Sequence, residues 1–260
     1  MLRSVDLLYS ISGFCVSLFV GMTGVGGGSL MTPLLIMFFG IQPATAVGTD
    51  LLYAATAKSV GTLVHGLNGS IDWRIVRRLA AGSVPMTALT LLTMSRFGIY
   101  SQAAHHVITG VLSIALAVTA AVLTFRKQIL AFYAVRIGEL APRRTVILTV
   151  LVGAVLGLMV SISSVGAGAL GATAIILLYP HLPTARIVGS DIAHAVPLTL
   201  VAGVGHWLLG SIDWHLFAAL LAGSLPGMVI GSYFSMRVPD AILRWTLATT
   251  LLLVAGTLVL

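Results

Sequence analysis

The sequence predicts an all-α integral membrane protein built from two inverted repeats of about five segments each. Of its 260 residues, 58% are hydrophobic and 8% are charged, and the mean hydropathy is +1.07. Soluble domains carry about 25% charged residues, so this chain has too little polar surface to solvate a globule of its size. At about 20 residues per membrane crossing, its length accommodates roughly eight to ten segments.

The repeat is visible as two sets of matching motifs. They are Gly48-Thr49-Asp50, His65 and Gly69-Ser70-Ile71-Asp72-Trp73 in the first copy, and Gly189-Ser190-Asp191, His206 and Gly210-Ser211-Ile212-Asp213-Trp214 in the second. The positions of His65 and His206 set the offset at 141 residues. We therefore divide the chain into a first membrane repeat at 1–125, a basic linker at 126–144 and a second membrane repeat at 145–260, an organisation typical of transporters.

Apolar runs broken by glycine, proline and charged residues predict ten helical segments. They span residues 7–22, 29–40, 43–66, 74–95 and 102–124 in the first half, and 145–161, 167–180, 184–209, 215–236 and 240–260 in the second. At roughly 1.5 Å per residue, 29–40 is too short to cross about 30 Å of hydrocarbon, and 7–22 is marginal. Both are predicted to be half-helices, so that each half contains a Gly-rich broken or re-entrant pair.

The distribution of Lys and Arg predicts the orientation. If every segment crosses the membrane, eleven of the 14 basic residues lie on one side, Arg3 and Arg96 lie on the other, and Lys58 lies inside a helix. Basic residues concentrate in cytoplasmic loops, so the side with eleven, which includes the linker, is predicted to be cytoplasmic. An odd number of segments per half inverts the second copy and places both termini outside. If each Gly-rich pair formed one broken crossing helix, the repeats would instead be parallel.

Several classes of function are not supported. The net charge of +7 does not indicate nucleic-acid binding, because the basic residues lie between apolar segments rather than among exposed aromatic residues. Cys15 is the single cysteine, and no Cys or Glu cluster accompanies the histidines, so neither a disulfide nor a metal site is predicted. The sequence has no Gly-x4-Gly-Lys-Ser/Thr loop, so ATP is not expected to drive the protein directly, and no cofactor is predicted.

Two Gly-rich turns are candidates for an anion site. The segment Gly24-Val25-Gly26-Gly27-Gly28-Ser29-Leu30 aligns with Ser164-Val165-Gly166-Ala167-Gly168-Ala169-Leu170. Each lies between two apolar runs, where irregular backbone is followed by a helix N-terminus. Free amides and the helix dipole at such a position favour an anion. The alternative is that the glycines only permit close helix crossing.

Ionisable side chains share one face of the helices predicted at 43–66 and 184–209. They are Asp50, Lys58 and His65 in the first copy and Asp191 and His206 in the second, with His194 nearby. Charged groups at membrane depth cost about 2.5 to 3.5 kcal/mol each on insertion scales and normally face a cavity or a partner. Lys58 is therefore predicted to bind substrate or to take part in coupling, with a structural ion pair as the alternative.

The acidic residues and histidines each have two interpretations. Asp50 and Asp191 follow Gly-Thr and Gly-Ser near helix starts, where they either cap free amides or bind protons for coupled transport. His65 and His206 precede the repeated turns, where they either bond to the loop or serve in gating or proton transfer. Helix caps and interface anchors are predicted at Asp72, Trp73, Asp213 and Trp214.

The string from Gly24 to Leu35, followed by Ala46 to Leu52 and Gly69 to Trp73, resembles the TauE/SafE family of membrane permeases, the sulfite exporter-like transporters. The resemblance covers nearly the whole chain. It implies an all-helical, multi-pass protein of the bacterial inner membrane that moves sulfur-containing or related small organic anions, such as sulfite, sulfonates or sulfoacetate. It also implies site-forming roles for the Gly-rich turns and the two Gly-(Thr/Ser)-Asp motifs, although Ala167 and Ala169 replace Gly27 and Ser29.

The sequence thus predicts a secondary carrier that holds a small anion between its halves and is surrounded by membrane lipids. Protons, other ions or the membrane potential are the candidate sources of coupling. The predicted substrate-binding residues are Gly26, Gly27, Gly28, Ser29, Gly48, Thr49, Lys58, Gly166, Gly168, Gly189 and Ser190. The predicted coupling or gating residues are Asp50, His65, Asp191, His194 and His206. A passive anion channel is the nearer alternative. An intramembrane serine hydrolase, with Ser29 paired to His65 or His206, is the more distant one.

Overall fold

A computed structural model describes residues 2–23, 28–97, 102–136 and 141–234. Every regular element in this part of the chain is an α-helix, which confirms the predicted class. The helices are α1 (Leu2–Thr23), α2 (Gly28–Phe39), α3 (Pro43–Leu67), α4 (Trp73–Phe97), α5 (Gln102–Arg136), α6 (Pro142–Ser163), α7 (Ala169–Leu178), α8 (Thr184–Leu208) and α9 (Trp214–Phe234). They match the first nine predicted segments in order, and the segment predicted at 240–260 lies outside the described residues.

Helix lengths confirm one part of the half-helix prediction and correct another. The helices α2 and α7 have 12 and 10 residues, which at about 1.5 Å per residue is well short of the hydrocarbon thickness. By contrast, α6 has 22 residues, about 33 Å, and is able to cross a membrane, so the first run of the second pair is not a half-helix. The helix α1 also has 22 residues, but its apolar stretch is the shorter Asp6–Val20. The apolar runs understated these two helices because both continue through polar residues at their N-terminal ends.

By length and composition, four helical stretches of the described part are able to cross a membrane. They are Trp73–Arg96, His105–Phe125, Pro142–Ser163 and Ala185–Leu208. The helix α5 extends past its predicted end at residue 124 to Arg136, so the basic segment predicted as a linker begins as helix. No glycine or proline lies between Gly110 and Gly138, and the strong helix formers alanine and leucine are frequent there.

Equivalent helices of the two halves pack in exchanged pairs. The helix α1 packs on α9, α4 packs on α6, and α3 packs on α8 in the centre. Because α1 corresponds to α6 and α4 to α9 in the repeat, the two outer pairs are the same contact made twice. Glycines allow the backbones to approach closely in both pairs. Between α1 and α9, Gly13 faces Leu220 and Gly223 faces Ser10. Between α4 and α6, Gly82 faces Val150 and Gly153 faces Leu79. The opposite orientation of the halves in the membrane stays a prediction.

The repeated Gly-Ser-Ile-Asp-Trp turns connect the halves reciprocally. The amide of Asp72 donates to Ser190 Oγ at 2.9 Å, and the amide of Asp213 donates to Thr49 Oγ1 at 3.1 Å. Each turn therefore rests on the central helix of the other half. The same turns begin helices, because Asp72 Oδ1 accepts the amides of Arg74 and Ile75 and Asp213 Oδ1 accepts the amide of Leu216. The predicted N-caps are confirmed.

Candidate functional site

Four ionisable side chains form a buried group between α3 and α8. This central cluster consists of Asp50 and Lys58 from α3 and Asp191 and His194 from α8, and none of the four is more than 8% exposed. Since α3 and α8 belong to different halves, the cluster forms only when the halves are packed together. The short helices α2 and α7 pack against α3 and α8 respectively and supply further groups to the cluster.

Asp50 joins the two halves through its carboxylate. Its Oδ2 accepts hydrogen bonds from Thr32 Oγ1 of α2 at 2.6 Å and from Ser164 Oγ, which follows α6, at 2.8 Å. Its Oδ1 is buried and has no hydrogen-bond partner among the described residues. Asp50 is the eighth residue of α3, so the alternative in which it caps the start of its own helix is wrong. The carboxylate instead faces the place where the second Gly-rich turn begins.

Asp191 lies against the first turn of α7. A Cβ atom at Gly171 would be 2.1 Å from Asp191 Oδ1, so the carboxylate occupies the space that the absence of a side chain leaves. This oxygen is buried, and in the described part of the chain it has no hydrogen-bond partner. The N-cap of α8 is Pro183, so Asp191 does not cap its helix either. Its negative charge lies near the positive end of the α7 dipole.

Lys58 reaches from the first half to the Gly-rich turn of the second. Its Nζ donates to the carbonyl oxygen of Ala167 at 3.3 Å. The ammonium group interacts electrostatically with Asp191 and Asp50, but none of the ion pairs within the described residues joins it to a carboxylate. A neutral carbonyl at 3.3 Å satisfies one of its three donors. The described contacts therefore do not support the alternative in which Lys58 forms a structural ion pair.

The second Gly-rich turn, residues 164–168, is buried backbone that requires its glycines. Gly166 has φ +124° and Gly168 has φ +132°, values that side-chain-bearing residues rarely adopt, and Ser164 is left-handed at φ +59°. Gly168 is the N-cap of α7 and, as a glycine, has no side chain that could accept the first amides of the helix. Within the described residues, no hydrogen-bond partner is found for the amides of Ala169 and Leu170, which begin α7. This end of α7 therefore offers two donors beside the Lys58 ammonium.

The first Gly-rich turn is only partly described. Gly26 and Gly27 lie outside the described residues, Gly28 begins α2, and Ser29 is buried in the first turn of that helix. Most of the first turn therefore lies outside the described residues. The structural evidence for a site at these turns comes from Gly166 and Gly168 of the second turn.

The first two residues of each Gly-(Thr/Ser)-Asp motif, predicted to bind substrate, instead contact the repeated turn of the other half. Added Cβ atoms at Gly48 and Gly189 would lie 2.6 Å from Ser211 O and 2.3 Å from Ser70 O. The hydroxyl groups of Thr49 and Ser190 accept amides from the same two turns. These four residues hold the repeated turns against the central helices, so the structure assigns them to the contact between the halves. The sequence could not reveal this, because each contact partner belongs to the other repeat.

Of the three histidines predicted to act in coupling or gating, His194 lies in the central cluster, and His65 and His206 lie at the repeated turns. His194 Nε2 shares a hydrogen bond with Ser83 Oγ of α4 at 2.9 Å, and its buried Nδ1 has no partner within the described ranges. His65 Nδ1 shares a hydrogen bond with Ser70 Oγ at 2.9 Å. His206 does the same with Ser211 Oγ, and its Nε2 donates to the Ser161 carbonyl. Both nitrogens of His206 are therefore occupied, which removes it from the predicted dyad with Ser29.

Sequence reasoning missed the neutral groups of the site. They are the hydroxyls of Thr32, Ser83 and Ser164, the Ala167 carbonyl and the space at Gly171. Ser164 begins the second Gly-rich turn and Thr32 is a polar residue within an apolar run, so the sequence weakly indicated that both belong to the site. Nothing in the sequence distinguishes Gly171 from a packing glycine.

Comparison with known proteins identifies the family. A family model described as "Sulfite exporter TauE/SafE" matches residues 9–258. "Probable membrane transporter protein YjnA" of Bacillus subtilis (strain 168) is 38% identical over 249 residues, covering 95% of this chain and 96% of the relative. "Probable membrane transporter protein YdhB" of the same organism is 22% identical over 231 residues, covering 89% and 91%. No solved structure gives a significant match.

These matches agree with the helical fold and with the buried charges between its halves. The family model covers almost the whole chain, so the resemblance noted in the sequence is confirmed. Both relatives are named as membrane transporters, which is consistent with the expectation of a non-enzyme. The chain is a multi-pass membrane transporter that belongs to the sulfite exporter TauE/SafE family.

Proposed function

We propose that this transporter is a secondary carrier of small sulfur-containing or organic anions, such as sulfite, sulfonates or sulfoacetate. The main support for the proposal is the position of Lys58, a buried ammonium group that donates a hydrogen bond to the neutral carbonyl of Ala167. A buried cation without a paired carboxylate is expensive, and a bound anion compensates for it. The proposed substrate site lies between Lys58 and the start of α7.

Two further features of this site favour an anion with oxygen atoms. The amides of Ala169 and Leu170 supply hydrogen-bond donors, and the α7 dipole adds partial positive charge. Sulfonate and sulfite groups present several acceptor oxygens around one sulfur atom, so they are able to accept from the ammonium group and the amides together. The family description supports sulfite-like anions as the substrate class.

Protons are the proposed coupling ion. When ionised, Asp50 and Asp191 together outweigh the charge of Lys58, so a bound anion adds to a surplus of negative charge. Proton uptake by one carboxylate removes that surplus, which links anion binding to proton binding. We assign the proton to Asp191, because Asp50 Oδ2 accepts hydrogen bonds from the hydroxyls of Thr32 and Ser164, which favour its ionised form, whereas among the described residues no hydroxyl donates to Asp191 Oδ1. The charged and titratable groups that face Asp191 are Lys58 and Asp50 of α3 and His194 of its own helix, whereas Ser83 of α4 is neutral.

Alternating access is proposed to arise from movement of one half against the other around the central cluster. The cluster is made by α3 and α8, one from each half, so a change in their packing changes access to Lys58. The basic segment is proposed to lie on the cytoplasmic side of a bacterial inner membrane, as the distribution of Lys and Arg predicts.

Counterflow in proteoliposomes tests the proposed function. Vesicles loaded with unlabelled sulfite or sulfoacetate are expected to take up labelled anion several-fold faster than empty vesicles, because a carrier returns faster when it is loaded. A passive channel gives equal fluxes in both conditions, and that result would contradict the proposal. Taurine, which carries an ammonium group, serves as the comparison substrate and is expected to exchange more slowly.

The assignment of the proton to Asp191 predicts the behaviour of Asp191→Asn. In the unaltered protein, the apparent Kd for the anion is expected to rise with pH by up to about tenfold per pH unit, since one proton binds with the anion. The carboxamide imitates the protonated group, so the variant is expected to bind the anion independently of pH. Counterflow should persist, and accumulation driven by a proton gradient should be lost.

A matched control for this variant is Asp213→Asn. Asp213 is an acidic residue of the same half that caps α9, and asparagine caps helices about as well as aspartate. This control is expected to retain both the pH dependence and proton-driven accumulation. If Asp191→Asn still accumulates anion along a proton gradient, Asp191 is not the proton carrier.

A further inference from the structure

A cavity lies away from the central cluster, where the N-terminal ends of α4 and α6 meet the C-terminal end of α7. Its volume is about 580 Å³, within the range of small-molecule sites. It is lined by Arg78, Pro142, Arg143, Thr145, Val146, Leu177, Leu178, Tyr179, Pro180, His181 and Leu182. Arg78 and Arg143 are among the residues predicted to lie on the cytoplasmic side, so the cavity is expected at headgroup depth.

The polar part of this cavity is positively charged and held in place. Arg78 Nη1 donates to the hydroxyl of Tyr179 at 3.1 Å, and that hydroxyl also shares a hydrogen bond with Thr149 Oγ1 at 2.9 Å. Arg78 is half-buried, and within the described residues it makes no ion pair. No acidic residue lines the cavity. The guanidinium group is therefore fixed in position and has no counter-ion from the described chain.

The first turn of α6 adds hydrogen-bond donors at the same place. The N-cap residue Ala141 makes no side-chain cap, and Pro142 begins the helix. Within the described residues, no hydrogen-bond partner is found for the amides of Arg143 and Arg144. Two arginine side chains and an uncapped helix N-terminus thus converge on one cavity, an arrangement that suits a phosphate group.

The rest of the cavity is apolar. Six of its lining residues are leucine, valine or proline. A ligand with a charged head and a hydrocarbon tail fits both parts of the lining, with the head against the arginines and the start of the tail against the apolar residues.

We propose that this cavity binds the phosphate of an anionic phospholipid. Basic pockets between membrane helices are a known mode of binding for acidic lipid headgroups. A free phosphate or the transported anion would use the arginines but leave the apolar surfaces without a role. The site is separate from the substrate site, so the proposal does not depend on which anion is carried.

Thermal unfolding of the purified full-length chain in detergent tests the proposal. Mixed micelles containing phosphatidylglycerol are expected to raise the Tm by about 3 °C or more, because a ligand that binds only the folded state stabilises it. Phosphatidylcholine micelles and inorganic phosphate are expected to produce no comparable shift. An equal shift with inorganic phosphate alone would assign the cavity to a soluble anion and overturn the lipid proposal.

Arginine variants locate the effect. In Arg78→Gln combined with Arg143→Gln, the phosphatidylglycerol shift is expected to disappear, and the apparent lipid affinity should fall at least about tenfold. The matched control is Arg96→Gln, an exposed arginine at the other end of α4, which should keep the whole shift. If the double variant does not fold, Arg143→Gln alone is expected to reduce the shift, since Arg143 is exposed. An undiminished shift in either variant overturns the proposal.

Discussion

Replacement of Lys58 by methionine is expected to weaken binding of the substrate anion at least tenfold. Lys58 Nζ is the one full positive charge in the central cluster, and methionine preserves much of its length and apolar contact without the charge. In a buried site an ammonium–oxyanion contact contributes more than about 1.4 kcal/mol, which corresponds to tenfold in affinity. The amides at the start of α7 should retain the remaining binding energy.

The measurement is the shift in Tm of purified protein over a series of anions: sulfite, sulfate, thiosulfate, sulfoacetate and carboxylates. The matched control is Thr199→Val, because Thr199 occupies the position of Lys58 in the second repeat and donates only to Ala195 and Val196 of its own helix. That variant is expected to bind anions like the unaltered protein. Without added anion, Lys58→Met is expected to be less stable than the unaltered protein, because it leaves the buried carboxylates of Asp50 and Asp191 without the cation that interacts with them. Unchanged anion binding in Lys58→Met would assign Lys58 to structure.

The largest effect on folding is expected from Gly82→Ala and Gly223→Ala. An added Cβ would lie 1.9 Å from Val150 O at Gly82 and 1.7 Å from Ser10 O at Gly223. Both obstacles are backbone atoms of the facing helix, so no side-chain rotation relieves them. Alanine favours the helix by about 1 kcal/mol over glycine, but separating the packed helices is expected to cost more than about 3 kcal/mol. The net result should be loss of the α4–α6 or α1–α9 contact.

Gly110→Ala in α5 is the matched control for these two variants. Nothing lies within 4 Å of a Cβ at Gly110, so alanine there should be neutral or slightly stabilising. Size-exclusion profiles and Tm in detergent measure the difference between the three variants. Equal Tm values for Gly82→Ala and Gly110→Ala would show that the two helices separate at little cost, contrary to the expected close contact.

The contacts between the halves also explain why these motifs occur twice in this chain. Each Gly-Ser-Ile-Asp-Trp turn packs on a Gly-(Thr/Ser)-Asp motif of the other half, where the glycine allows close approach and one hydroxyl–amide hydrogen bond forms. Each repeat therefore contributes one turn and one motif to this pair of contacts. The proposed substrate-site residue Lys58, by contrast, has Thr199 at its equivalent position in the second repeat.

The sequence by itself determined the helical membrane class, the order of the segments, the family and the helix caps at Asp72 and Asp213. It also placed Lys58 in a helix among small residues. These properties depend on composition, on periodicity and on hydrogen bonds between near neighbours, all of which are local in the chain. The end of α5 was misplaced because a cluster of basic residues marks a membrane boundary but does not terminate a helix.

Only the tertiary structure decided what the polar groups contact. Asp50 bonds to Ser164, Lys58 bonds to Ala167, and Thr49 bonds to Asp213, each across more than 100 residues of sequence. Repeat symmetry equates Thr49 with Ser190 but does not indicate that each contacts the other half. Contacts of this kind depend on how the two halves pack, and a buried hydroxyl or carbonyl looks the same in sequence whether it faces a turn, a carboxylate or a substrate.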